Sequence, residues 1–153
     1  MATTPRRPNL GRVAIVAAGL LIAGNLLWFA GVSHSDSTPQ LPTQLKQLFP
    51  ASQQVIRPQD TVGAQLDGGL QGVLYINGGQ VPADQVNGDP GLGLITFRPG
   101  CGGTNVSRAD CEYTEFQPGT MNLRVDYWPQ TETIQTAKQR AQYGTFSWQI
   151  KVG

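Results

Sequence analysis

Met121–Trp128 reads MNLRVDYW, and it decides the fold class. Met121, Leu123, Val125 and Tyr127 alternate with Asn122, Arg124 and Asp126. A period of two puts successive side chains on opposite faces of a strand, so one face is buried and the other meets water. Thr145–Val152 (TFSWQIKV) repeats the device, with Phe146, Trp148, Ile150 and Val152 inward and Ser147, Gln149 and Lys151 outward. Antiparallel strands of this kind need a second apolar layer to bury their inner face.

Working outward, shorter extended runs with turn signals fill the C-terminal two thirds. Gln54–Arg57 and Thr61–Leu66 are split by Arg57-Pro58. Gly72–Ile76 and Gln80–Val81 flank Asn77-Gly78-Gly79, and Asn-Gly is the strongest short hairpin signal. Gly93–Arg98 stops at Pro99-Gly100. Glu132–Gln142 resembles a helix or a long loop before the last strand. The pattern predicts a mainly β ectodomain over 53–153, an immunoglobulin-like β-sandwich. Ahead of it, 33–52 reads as a proline-punctuated spacer. Leu45, Leu48 and Phe49, at i, i+3 and i+4, predict two turns of amphipathic helix closed by Pro50.

Val13–Val32 (VAIVAAGLLIAGNLLWFAGV) is uncharged, and 20 helical residues span about 30 Å, the thickness of a hydrocarbon core. Arg6, Arg7 and Arg12 precede it, while every Asp and Glu follows it. The positive-inside rule then places 1–12 in the cytoplasm, 13–32 across the cytoplasmic membrane and the remainder outside, a single-pass topology. A cleaved signal peptide is the other reading of a basic start and an apolar run. This run exceeds the usual apolar length of about 7–15 residues and lacks a clean A-x-A site, which favours an uncleaved anchor. Gly19 and Ala23 have small-xxx-small spacing and Asn25 is a polar side chain in the run, a pattern that suits packing against a second helix.

Composition narrows the function. Charged residues make 14% of the 153, and the net charge is +1. No basic footprint for nucleic acid is present. His34 is the only histidine and lies in the spacer, so the ectodomain has no material for Ser-His, Cys-His or His-ligated metal chemistry. Asp110, Glu112 and Glu115 are the carboxylates left for a hydrolase, and a solvated acidic rim is the simpler reading. No catalytic residue and no cofactor is therefore expected. Cys101 and Cys111 enclose CGGTNVSRADC, which outside the cytoplasm reads as a structural disulfide.

Two kinds of binding residue stand out. Trp128, one step out of the inward phase and followed by Pro129, is the candidate exposed contact, joined by Tyr113 and Phe116 just past the cysteine loop. Asp84, Asn87 and Asp89 in ADQVNGDPG offer three oxygens for a metal ion such as Ca²⁺, although the same residues are what turns need. The reading that follows is a non-enzymatic, membrane-tethered module binding another cell-envelope protein, with a cell-wall glycan or a metal ion as the alternative ligand.

Three stretches carry a family resemblance: LKQLFPASQQVIRPQDTVGAQLDGGLQGVLYINGGQVPADQ (45–85), LGLITFRPG (92–100) and YGTFSWQIKVG (143–153). The ectodomain resembles small membrane-anchored proteins of actinobacteria to which no activity is assigned. The resemblance implies a bacterial cell-envelope setting and no mechanism.

Overall fold

A computed structural model describes residues 40–153. Nine strands form two sheets: β1 Leu45–Phe49, β2 Val55–Ile56, β3 Val62–Leu66, β4 Leu70–Ile76, β5 Gly79–Gln80, β6 Asn87–Asp89, β7 Leu94–Phe97, β8 Gly119–Pro129 and β9 Gly144–Val152. One short helix, α1, covers Ile134–Gln139. The four-stranded sheet runs β1-β3-β7-β6 and the five-stranded sheet β2-β9-β8-β4-β5. All neighbours are antiparallel except β2, which pairs parallel to the end of β9. The protein is mainly β and its two sheets have the arrangement of a sandwich.

The period-two reading of β8 and β9 holds. Leu123 pairs with Trp148 and Met121 with Ile150 across the ladder. Met121, Leu123, Val125, Tyr127, Trp148, Ile150 and Val152 are all buried. They meet Val62, Ala64 and Leu66 of β3 and Ile95 and Phe97 of β7 in one continuous core. The Asn77-Gly78 signal also holds: the chain turns there with φ of 49° and 88°, and β4 pairs back onto β5. Positive φ at both central positions is what a tight hairpin turn requires.

Three expectations are corrected. Leu45–Phe49 is an edge strand rather than a helix, so the folded region starts before residue 53. The i, i+3 spacing of Leu45 and Leu48 misled because the β1–β3 register shifts between Leu45 and Gln47. That irregularity restores both leucines to the buried face, where an unbroken strand would have separated them. Asp126, expected in water, is 4% exposed. It does project from the outer face, but there Thr145 of β9 and Arg124 of β8 close on its carboxylate. Asn87–Asp89, read as a turn, is a strand pairing with β7.

Among the described residues no helix is long and apolar enough to cross a membrane. The expected anchor, Val13–Val32 with Gly19, Ala23 and Asn25, lies outside the described residues.

Candidate functional site

Cys101 and Cys111 are bonded, as expected, and their loop is held down from several sides. Gln85 is 6% exposed and bridges to it, donating from Nε2 to the Asp110 carbonyl at 3.2 Å. Its Oε1 accepts from the Glu112 N–H at 2.8 Å. A buried amide with both ends satisfied fixes the loop against β6 and the preceding turn. Such a bridge belongs to oxidising compartments.

The three residues expected to form an exposed aromatic contact are placed differently. Phe116 is 2% exposed, inside the core, with its ring centroid 6.1 Å from that of Phe97. Tyr113 is half-buried, edge-on to Phe97 at 5.9 Å, and donates its hydroxyl to the Ile76 carbonyl at 3.3 Å. Burial raises its hydroxyl pKa. These two rings seal the end of the sandwich, because the disulfide loop folds back over it. Trp128 does lie on the outer face of the five-stranded sheet, as its phase implied. It is half-buried there, stacked on Tyr143 at 6.5 Å and 21°. Lys138 of α1 places Nζ 4.8 Å from the Tyr143 ring. The three are thus not one patch.

Asp84, Asn87 and Asp89 do not converge on a cation. Asp84 is exposed in the turn before β6. Asn87 donates from Nδ2 to the Gly102 carbonyl at 2.9 Å, and Asp89 Oδ1 accepts from the Gly91 and Leu92 N–H groups. The Asp89 bonds hold the β6–β7 hairpin in shape, the turn role that this residue type serves, and the Asn87 bond ties β6 to the cysteine loop. Among the described residues no group of three or more His, Cys, Asp or Glu side chains is placed to hold a metal ion. Asp110, Glu112 and Glu115 are exposed on the loop, and Asp110 accepts from the Ser107 hydroxyl at 2.6 Å.

Besides a recess of about 310 Å³ lined by Glu112, Tyr113 and Glu115, two concave features lie elsewhere on the described residues. The first is a cleft of about 340 Å³ between the sheets, along the edge where β4 faces β6 and β7. Leu70, Val73, Leu74, Val81, Val86, Leu94 and Ile95 give it apolar walls. Beside it the β4 strand is open. β8 pairs with all of Leu70–Ile76 on one side, but β5 covers only Tyr75 and Ile76 on the other. Leu92, 58% exposed, stands next to Gly93 at the rim.

The second is a trough of about 550 Å³ on the outer face of the five-stranded sheet. Register builds it: Tyr75 of β4 pairs with Arg124 of β8, which pairs with Ser147 of β9, and Asn122 pairs with Gln149 in the next row. Ser52, Gln53 and Gly78 wall the two sides. The Arg124 guanidinium lies 3.9 Å above the Tyr75 ring, a cation–π contact that sets its plane. Its Nε is 3.2 Å from Asp126 Oδ1, yet makes no aligned hydrogen bond. Gln149 donates to Asn122 Oδ1 at 2.8 Å. Neither feature was found from the sequence. The trough residues occupy outward positions of three strands, and only the pairing shows which of them share a row.

The fold and site define a two-sheet, disulfide-bonded β domain with surface recesses. No family model matches the chain, and no curated protein does. Among solved structures it is similar to CopC from Methylosinus trichosporium OB3b, at 11% identity over 71% of this chain and 90% of that one. The TM-score is 0.45, too loose a superposition to carry an argument about function.

Proposed function

We propose that this chain is a non-enzymatic interaction domain, tethered to the outer face of the cytoplasmic membrane, that binds another cell-envelope protein. The strand order supports an immunoglobulin-like reading. Taking β1, β3, β7 and β6 as strands A, B, E and D reproduces one sheet of that fold. Taking β9, β8, β4 and β5 as G, F, C and C′ reproduces the other. β2 is then the piece of the first strand that crosses over to pair with G. The disulfide agrees with the extracytoplasmic side, and the basic residues before Val13–Val32 give the orientation.

The observation that carries the proposal is the apolar cleft beside the open half of β4. An extended segment of a partner can add to β4 at Gly72, between Leu70, whose N–H and carbonyl are held by Asp67 and Gln130, and the Leu74 carbonyl held by Val81, while its side chains enter the apolar walls. Main-chain pairing provides affinity there and the walls provide specificity.

The test is to place a photo-crosslinking residue at Leu94 in the full-length protein in its native membrane, with a second sample carrying it at Lys151, away from the cleft. A single stoichiometric companion captured from Leu94 and not from Lys151 supports the docking site. Its loss when Val86→Asp is added to the Leu94 crosslinking chain, in a protein that melts normally, strengthens the assignment. Capture from both positions alike, or from neither, overturns it.

A further inference from the structure

We propose a second binding site that is independent of the cleft: the trough on the outer sheet face takes a glycan bearing a carboxylate, held by Arg124. Three properties of the trough lead there.

The first is the state of the guanidinium. Stacking on Tyr75 at 3.9 Å fixes its plane, and 42% of the side chain is exposed at the trough. Asp126, its one ion-pair partner among the described residues, sits on the Nε side and is itself occupied by the Thr145 hydroxyl at 2.7 Å. The far edge of the fork therefore faces the trough. Two parallel N–H groups held in one plane match the two oxygens of a carboxylate.

The second is the set of uncharged polar side chains around the guanidinium, Asn122, Ser147, Gln149 and Ser52, which share the lining with Leu123 and Trp148. The Gln149–Asn122 bond uses one hydrogen of Gln149 and one oxygen of Asn122. The Asn122 NH₂ and the Gln149 carbonyl oxygen are left side by side as donor and acceptor, a pair suited to adjacent hydroxyls. A polyanion such as nucleic acid would need several cations, and the lining supplies Arg124 alone.

The third is shape. About 550 Å³ falls within the range of sites for small ligands, large enough for more than one sugar ring. One face of Tyr75 is taken by Arg124, so an uncharged sugar has no free ring there on which to stack. The carboxylate, not stacking, must anchor the ligand.

Calorimetry on the full-length protein in detergent micelles tests this with three probes: digalacturonate, its uncharged counterpart digalactose, and the dipeptide alanyl-alanine, which offers a carboxylate without hydroxyls. Digalacturonate is expected to bind at least tenfold more tightly than either of the others. Arg124→Gln should reduce that affinity tenfold or more, and Arg124→Lys nearly as much, because the charge remains and the fork does not. Lys151→Gln, outside the trough on the same sheet, should leave it unchanged. Equal binding of the acidic and uncharged disaccharides, tighter binding of the dipeptide, or no binding of digalacturonate each overturns the proposal. The comparison of probes on the unmodified protein stands even if an Arg124 variant fails to fold.

Discussion

Thr145 donates its hydroxyl to Asp126, its partner across the β8–β9 ladder, at 2.7 Å. The carboxylate is 4% exposed on a sheet face whose period would put it in water. A buried acceptor that loses its donor costs more than the bond contributed, because the desolvated group is left unmet. Thr145→Val keeps the shape of the side chain and removes the donor. It should lower stability by about 1–3 kcal/mol in urea unfolding, and Thr145→Ser should recover most of that. A valine variant as stable as the parent would show that Arg124 and Tyr143 satisfy the Asp126 carboxylate without Thr145.

Tyr143 lies in the same cluster. Burial, and after it the neighbouring Asp126, push its hydroxyl up to about 12 from the ordinary 10.0. The protonated form is neutral, so above pH 10 the unfolded chain releases a proton that the folded protein keeps. Unfolding is then increasingly favoured, and stability falls as pH rises from about 10 to about 12 while this group contributes no slope below that window. Phenolate absorbance should show a last tyrosine titrating near the top of the range, and Tyr143→Phe should remove that step. A titration unchanged in the variant would refute the assignment.

The Cys101–Cys111 bridge closes a loop of sequence separation 10. In the chain-entropy model a loop so short contributes about 2–3 kcal/mol by restricting the unfolded chain. The double Cys101→Ala, Cys111→Ala variant should show that loss in denaturant unfolding, with circular dichroism of the strands retained. Collapse of the whole fold would mean that the bridge also positions Tyr113 and Phe116.

Gly144 opens β9 directly against the Tyr127 ring, and a Cβ added there would clash with its Cζ, Cε2 and hydroxyl oxygen. Tyr127 is 7% exposed and has little room to move. Gly144→Ala should therefore cost about 1–3 kcal/mol, the usual penalty for overpacking a core. Adding Tyr127→Leu to the same chain should relieve the clash, which a double-mutant cycle would detect as coupling. Simple additivity would place the glycine's role elsewhere.

Gln85 supplies a fourth structural test. Gln85→Leu preserves volume but strands the Glu112 N–H and the Asp110 carbonyl. Amide exchange should quicken across 101–112 while the strands stay protected. Uniform exchange across the domain would show that the loop is not held there.

How much of this could be read without coordinates differs from one element to the next. The inward residues of β8 and β9 were legible because side-chain alternation is local: a strand half in water must repeat every second residue. The Asn77-Gly78 turn was legible for the same reason, since positive φ is a property of the residues themselves. β1 was not, because an irregularity in its pairing with β3 shifted the spacing of Leu45 and Leu48 towards that of a helix. Phe116 was misplaced because it follows a polar loop, and what buries it is the fold of that loop over Phe97, 6.1 Å away.

The sandwich class, the disulfide and the absence of histidine from the ectodomain belong to the amino-acid order alone. Each depends on residue type, or on neighbours within a few positions. The trough and the cleft do not. Tyr75, Arg124 and Ser147 share a row only because three strands pair in one register, and the cleft exists because β5 stops short along β4. Pairing between distant strands is settled by how the two apolar faces fit together, a collective property of the packed core that no single stretch of chain carries.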